Sequence, residues 1–106
     1  MLKNPEMIIN LSQLEHLRDK CLLDAEADYL EKEHRIKQEF LYNSIRTKKI
    51  LCENDKEADK LLQEYHQESK KLLTEYEKKL DQLIKGYQKK EKALIESTEL
   101  EIQNIV

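Results

Sequence analysis

The chain has 106 residues, of which 39% are charged, and it contains one glycine and one proline. Glycine and proline are the residues most typical of turns and loops, so the chain changes direction rarely. It also offers no glycine-rich loop that could bind a phosphate group. Its 19 basic and 22 acidic residues are interleaved and give a net charge of −3, which disfavours nucleic acid as a partner. No apolar run approaches the roughly 18 residues of a membrane span. The composition predicts an all-α protein of long amphipathic helices in an antiparallel coiled coil.

The first helix is predicted to begin at Asn4 and to extend over residues 5–52. Asn4 supplies a capping oxygen, Pro5 fits the first helical position, and Glu6 lies at the positive end of the helix dipole. Apolar residues then recur in steps of three and four, with Arg18 and Glu33 at the two polar positions of the stripe. We predict that this stripe forms a helix–helix interface through Leu11, Leu14, Leu22, Tyr29, Ile36 and Phe40.

The middle of the chain contains the one candidate turn between helices, at about residues 53–55. Asn54 and Glu57 have the spacing of a capping box, with Asn in place of the usual Ser or Thr. The alternative is an unbroken helix in which Asn54 and Asp55 form a solvated patch. We predict a turn here, a second helix over residues 56–105, and a single coiled-coil module over residues 1–106.

The second helix carries its own apolar stripe. Its steps again alternate between three and four, with one extra step of four around Leu80 that is typical of a stutter in a coiled coil. The predicted interface residues of this helix are Leu62, Tyr65, Leu72, Tyr76, Leu80, Leu83, Tyr87 and Leu94.

A second apolar face is visible on the first helix, away from the main stripe. We predict that it binds a third helix, from another copy of the chain or from a different protein. Its residues are Leu23, Leu30, Leu41, Tyr42 and Ile45.

The charges are arranged in blocks that favour antiparallel packing. Residues 15–33 and 53–68 each have a net charge of −4, whereas residues 34–49 and 78–92 each have a net charge of +4. Parallel in-register helices would place like charges side by side, which opposes pairing. Folding the chain at its midpoint instead sets the acidic residues 15–33 against the basic residues 78–92. A helical hairpin and an antiparallel homodimer of continuous helices both satisfy this pattern.

The sequence gives little support to a catalytic or metal site. Glu31 and His34 have the spacing of a di-iron bundle motif, but such sites need a second copy and two more carboxylates. His16 and His66 stand apart from any nucleophile arrangement. We therefore expect no enzymatic activity, no cofactor, no metal and no small-molecule substrate.

We expect a scaffold or adaptor subunit that self-associates, binds other helical proteins, or does both. Cys21 and Cys52 are expected to be reduced, and no secretory leader pattern is present, so we expect a cytoplasmic or nuclear protein. In one alternative, residues 78–92 form a basic amphipathic helix that binds phosphate-rich surfaces, either membrane or nucleic acid. Its basic residues are Lys78, Lys79, Lys85, Lys89, Lys90 and Lys92.

The stretch at residues 65–79, YHQESKKLLTEYEKK, resembles the central coiled coil of histone-deacetylase corepressor scaffold subunits. It contains no signature residue, and we assign no family from it. The resemblance implies a second alternative, a scaffold subunit of a chromatin corepressor complex.

Overall fold

The computed structural model describes residues 4–105 and shows a helical hairpin. Helix α1 spans Pro5–Ile50 and helix α2 spans Asp55–Ile105. No strand occurs within residues 4–105, so the predicted all-α class is confirmed, and of the two predicted arrangements the hairpin is the one found. Residues 1–3 and 106 lie outside the described part, and the prediction of a single coiled-coil module over the whole chain stays a prediction.

Helix α1 begins at the predicted cap. The Asn4 side-chain oxygen accepts a hydrogen bond from the Met7 N–H at 2.7 Å, which satisfies one of the free donors of the first turn. The Ile8 N–H donates to the Asn4 carbonyl at 3.2 Å. Ile8, which is 5% exposed, is the one buried residue among residues 4–105.

The turn between the helices is tight and uses no glycine. Helix α1 ends at Ile50, two residues before the predicted end, and the Leu51 and Cys52 N–H groups donate to carbonyls of the last helical turn at 3.1 Å each. The Asn54 side chain accepts from the Glu57 N–H at 2.9 Å, and the Glu57 carboxylate accepts from the Glu53 N–H at 3.1 Å. This reciprocal cap starts α2 and excludes the alternative of an unbroken helix.

One compact unit joins the α1 residues up to Ala27 with the α2 residues from Asp81 onward. Thr98 Oγ1 donates to Ser12 Oγ at 2.9 Å, and the Tyr87 hydroxyl lies 3.4 Å from His16 Nε2. The later α1 residue pairs with the earlier α2 residue, so the two segments run in opposite directions in this unit.

The second compact unit is Asp28–Leu80, which includes the turn. Gln38 and Ser69 form a reciprocal pair: Gln38 Nε2 donates to the Ser69 carbonyl at 3.2 Å, and Ser69 Oγ donates to Gln38 Oε1 at 3.0 Å. Glu33 lies 3.7 Å from Lys79, an acid–base contact of the kind that the charge blocks predict. The pairing again runs in opposite directions.

Replacing Asn54 by Ala tests the cap that starts α2. We expect the free energy of unfolding to fall by about 1 kcal/mol, because the Glu57 N–H loses its acceptor. Chemical denaturation followed by circular dichroism measures the change. Gln67→Ala, at an exposed helical position of α2, is the control, and an Asn54→Ala loss no larger than the control's would contradict the cap.

Candidate helix–helix interface and exposed apolar face

Each helix has one half-buried face, which we call the seam. In both units the seam of α1 mixes apolar and polar side chains. Its members are Ile8, Ser12, His16, Asp19, Leu23, Ala27, Leu30, His34, Gln38, Leu41 and Ile45. On α2 the seam contains Leu61, Tyr65, Ser69, Leu72, Tyr76, Leu80, Leu83, Tyr87, Glu91, Leu94, Thr98 and Ile102.

The structure corrects the predicted interface on α1. All six predicted residues lie outside the seam, and their exposed fractions run from 47% for Leu11 to 76% for Phe40. They are Leu11, Leu14, Leu22, Tyr29, Ile36 and Phe40. The prediction followed the face with the most apolar residues. In the structure, the hydrogen-bonding groups of Ser69 and Thr98 on α2 instead pair with Gln38 and Ser12 on the more polar face of α1.

The face that was predicted to bind a third helix is the one that packs on α2. Leu23, Leu30, Leu41 and Ile45 are half-buried in the seam. Tyr42 is 54% exposed, but its ring lies edge-on to Tyr65 with the centroids 6.3 Å apart. The assignment of this face to a separate partner is therefore corrected.

On α2, seven of the eight predicted interface residues lie on the seam. They are Tyr65, Leu72, Tyr76, Leu80, Leu83, Tyr87 and Leu94. Leu62 lies outside the seam and is 53% exposed.

The seam of α2 follows an 11-residue repeat that the sequence reasoning missed. Leucines recur at intervals of 11 residues, and the fifth position of each repeat is a tyrosine or threonine. The two series are Leu61, Leu72, Leu83, Leu94 and Tyr65, Tyr76, Tyr87, Thr98. Eleven residues make three helical turns, so the single extra step predicted at Leu80 is one of a regular series of 4-4-3 steps. Counting self-similarity along the chain would have found this signal.

Two of the three histidines take part in the seam. His34 stacks on Tyr76 with a centroid separation of 4.7 Å, and His16 lies 3.9 Å from the Glu91 carboxylate as well as beside Tyr87. Tyrosine and histidine combine a flat apolar ring with a polar edge, which suits a seam that stays half open to water. Partial burial raises the pKa of Tyr87, and the nearby Glu91 carboxylate adds to the increase.

Glu33 is the centre of a small ion cluster in the second unit. Lys37 Nζ donates to its carboxylate at 2.9 Å, and Lys79 lies 3.7 Å away. The hydrogen bond and charge of Lys37, with a smaller contribution from Lys79, lower the pKa of Glu33 below its ordinary value of 4.5. The same hydrogen bond raises the pKa of Lys37.

The apolar stripe of α1 remains exposed to solvent. We define the α1 stripe as Leu11, Leu14, Leu22, Ala25, Tyr29, Ile36 and Phe40. In the first unit Leu14 is 63% exposed, and in the second unit Phe40 is 76% exposed. An open groove of about 390 Å³ lies beside the stripe in the second unit, lined by Ile36, Lys37, Phe40, Leu41, Ser44, Glu68 and Leu72.

A second open groove, of about 550 Å³, lies near the turn. It is lined by Tyr42, Ile45, Arg46, Lys49, Ile50, Leu62 and Tyr65. Ile50 and Leu51 are each 76% exposed beside it, so apolar surface reaches the end of the second unit.

The residues considered as metal ligands have other neighbours. Glu31 accepts a hydrogen bond from Arg35 at 3.0 Å, and His34 is stacked on Tyr76. Within residues 4–105, no cluster of three or more His, Cys, Asp or Glu side chains could hold a metal ion. Cys21 and Cys52 are both free thiols.

Two lysines of the basic segment have carboxylate partners. Lys79 lies near Glu33, and Lys85 Nζ lies 2.9 Å from the Asp81 carboxylate. Neither helix, over the part that the structure describes, is long and apolar enough to cross a membrane.

Comparison with known proteins adds no family: no family model, no curated protein and no solved structure matches the chain.

Leu30 and Tyr29 are neighbours in sequence that test the two faces of α1. We expect Leu30→Asp to lower the free energy of unfolding by about 2 kcal/mol, because a charge enters the half-buried seam. Tyr29→Asp should change it by less than about 0.5 kcal/mol, since Tyr29 is 67% exposed. Urea unfolding at low protein concentration measures both changes. A larger loss of unfolding free energy for Tyr29→Asp than for Leu30→Asp would show that the predicted stripe, and not the seam, packs on α2.

The cluster around Glu33 predicts a titration that depends on Lys37. In the folded protein the Glu33 carboxyl should titrate below 4.5, and Lys37→Gln should raise its pKa toward that value. Because the folded pKa is lowered, the stabilisation from this pair is present above pH 4.5 and is lost as the pH falls through the folded pKa. Carboxyl-detected NMR follows the titration. An unchanged Glu33 pKa in Lys37→Gln would show that the contact does not form in solution.

Proposed function

We propose that the protein is a non-enzymatic association module, a scaffold or adaptor subunit of the cytoplasm or nucleus that holds helical partners on the α1 stripe. The observation that supports this proposal is the exposure of the stripe. Its six large apolar side chains are between 47% and 76% exposed, although they recur at regular helical spacing.

Exposed apolar residues that are scattered singly are normal on a protein surface, whereas a contiguous patch usually marks an interaction site. Burying one Leu, Ile or Phe side chain contributes roughly 1.5–3 kcal/mol. Even partial burial of six such side chains would offset a large part of the entropic cost of association. The groove beside Ile36 and Phe40 provides a recess for side chains of the partner in the second unit.

A helix is the partner that fits best. The stripe repeats in steps of 3, 4 and 4, so its side chains form ridges that pack into the grooves of another helix. The charged side chains beside the stripe can pair with those of a second charged helix, which favours one orientation over others. The two alternatives have less support. Two of the six lysines of the basic segment, Lys79 and Lys85, have carboxylate partners and so contribute less net positive charge, and the corepressor role rests only on the resemblance of residues 65–79.

The double variant Ile36→Glu/Phe40→Glu tests this function. We expect it to abolish association, because two charges would enter the apolar contact, and to leave the hairpin folded, because both residues are exposed. The matched control is Leu62→Glu/Leu73→Glu, which places the same charges on exposed α2 positions of the same unit. Sedimentation equilibrium from about 5 to 300 μM measures self-association of the purified chain.

A photo-crosslinking amino acid at position 40, compared with position 73, measures association with any protein in cells that express the chain. Adducts at position 40 that disappear in the presence of excess purified wild type, but not in the presence of excess Ile36→Glu/Phe40→Glu variant, would support the proposal. A chain that stays monomeric and also gives no adduct specific to position 40 would contradict it.

A further inference from the structure

We infer that the α1 stripe binds a second copy of this chain, with α1 packed antiparallel against the partner's α1 and a two-fold axis beside Ala25. This inference rests on the proposed function, because it names the partner of the same surface. It differs from the antiparallel homodimer of continuous helices, in which α1 would pair with α2 of the partner.

The register follows from a symmetry in the positions of the stripe. Residues whose numbers add up to 50 or 51 face each other when two copies of α1 are laid in opposite directions, and apolar positions then meet apolar positions. The pairs are Leu11 with Phe40, Leu14 with Ile36, Leu22 with Tyr29, and Ala25 with its own copy. A two-fold interface requires such self-complementarity, since the same surface must serve both partners.

The two polar positions of the stripe obey the same symmetry. Arg18 and Glu33 have numbers that add up to 51, so each arginine meets the partner's glutamate, twice in the dimer. The side chain of Arg18 is 66% exposed and contacts its neighbour Asp19 at 3.3 Å. That of Glu33 is 30% exposed and is held by Lys37 and Lys79. In the dimer the partner's Arg18 adds a further cation to the Glu33 cluster, and the partner's Glu33 competes with Asp19 for Arg18. In a parallel register Arg18 would face Arg18 and Glu33 would face Glu33. The charges therefore select the antiparallel direction.

The residues that flank the stripe include one charge pair that favours this direction and one that opposes it weakly. Glu15 of one copy and Lys37 of the other flank the stripe on the same side, with numbers that add up to 52, one position beyond the register of the stripe, and they have opposite charges. Glu26 lies opposite its own copy near the axis, an exposed like-charge pair that costs a few tenths of a kcal/mol. Ala25, directly at the axis, is small enough for the two helices to approach closely.

The structure also shows why α1, rather than α2, is the helix that pairs. The exposed apolar line of α2 contains Leu62, Leu73, Ile84 and Ile95, one side chain in every 11 residues. The α1 stripe has two or three apolar side chains in every 11 residues, and it borders the groove at Ile36 and Phe40. In the inferred dimer, Leu11 and Leu14 of each copy pack onto this part of the other copy.

Disulfide trapping tests the axis. In a Cys21→Ser/Cys52→Ser background, Ala25→Cys should cross-link to its own copy under mild oxidation, because a disulfide needs Cα atoms roughly 4.4–6.8 Å apart. Leu14→Cys should not cross-link to itself, since the two positions 14 lie about 33 Å apart along the axis in this register. A mixture of Leu14→Cys and Ile36→Cys chains should give the mixed dimer.

A second measurement tests the charge pair without altering the seam. Arg18→Glu should raise the dimer dissociation constant about tenfold, because two glutamates would then face each other at both sites. Lys20→Glu, the same charge change at an exposed position off the stripe, is the matched control and should have a much smaller effect. Sedimentation equilibrium measures both constants.

The outcomes separate this inference from the proposed function. Cross-linking at 25 and between 14 and 36, with none of 14 to itself, supports the antiparallel dimer. Self-cross-linking at 14, or association through the stripe without cross-linking at 25, overturns the dimer and leaves the association function standing. A chain that stays monomeric but forms adducts with other proteins at position 40 also overturns the dimer and leaves the association function standing. A monomer without such adducts overturns both.

Discussion

The hairpin depends on a seam in which polar groups are paired across two helices that are otherwise held by leucine and tyrosine. Gln38 and Ser69 exchange two hydrogen bonds, and Thr98 donates to Ser12. A half-buried polar group without a partner carries a desolvation cost, so these pairs restrict which face of α1 can lie against α2. The leucine series of α2 supplies the apolar area, and the polar pairs fix the face and the register.

The choice of face leaves the more apolar side of α1 exposed within residues 4–105. The molecule thus has one surface that stabilises its own fold and, on the same helix, an exposed apolar surface for which we propose association. The free energy that stabilises the hairpin is only weakly coupled to the exposed stripe, because substitutions at Phe40 or Leu14 do not enter the seam. Substitutions on the exposed stripe should therefore leave the hairpin folded.

The sequence predicts the helices and their ends well, because these depend on local interactions. The caps at Asn4 and Asn54 follow from side chains that bond to N–H groups three residues away. The seam of α2 was also readable, since one face carries most of its leucines and tyrosines. The face of α1 was not, because counting apolar residues gives no weight to side chains such as His34 and Gln38, whose partners lie on another helix. The exposed stripe could be read as a pattern, but its role could not be assigned until α2 was seen to pack elsewhere.

The contact between His34 and Tyr76 offers the most direct measurement of the seam. Their rings are stacked 4.7 Å apart in the second unit, so nuclear Overhauser effects between their ring protons should be strong. In a sample where labelled chains are diluted with unlabelled ones, the account predicts that these effects persist as contacts within one chain. Their absence, or their appearance only between labelled and unlabelled chains, would contradict a hairpin held by this face of α1.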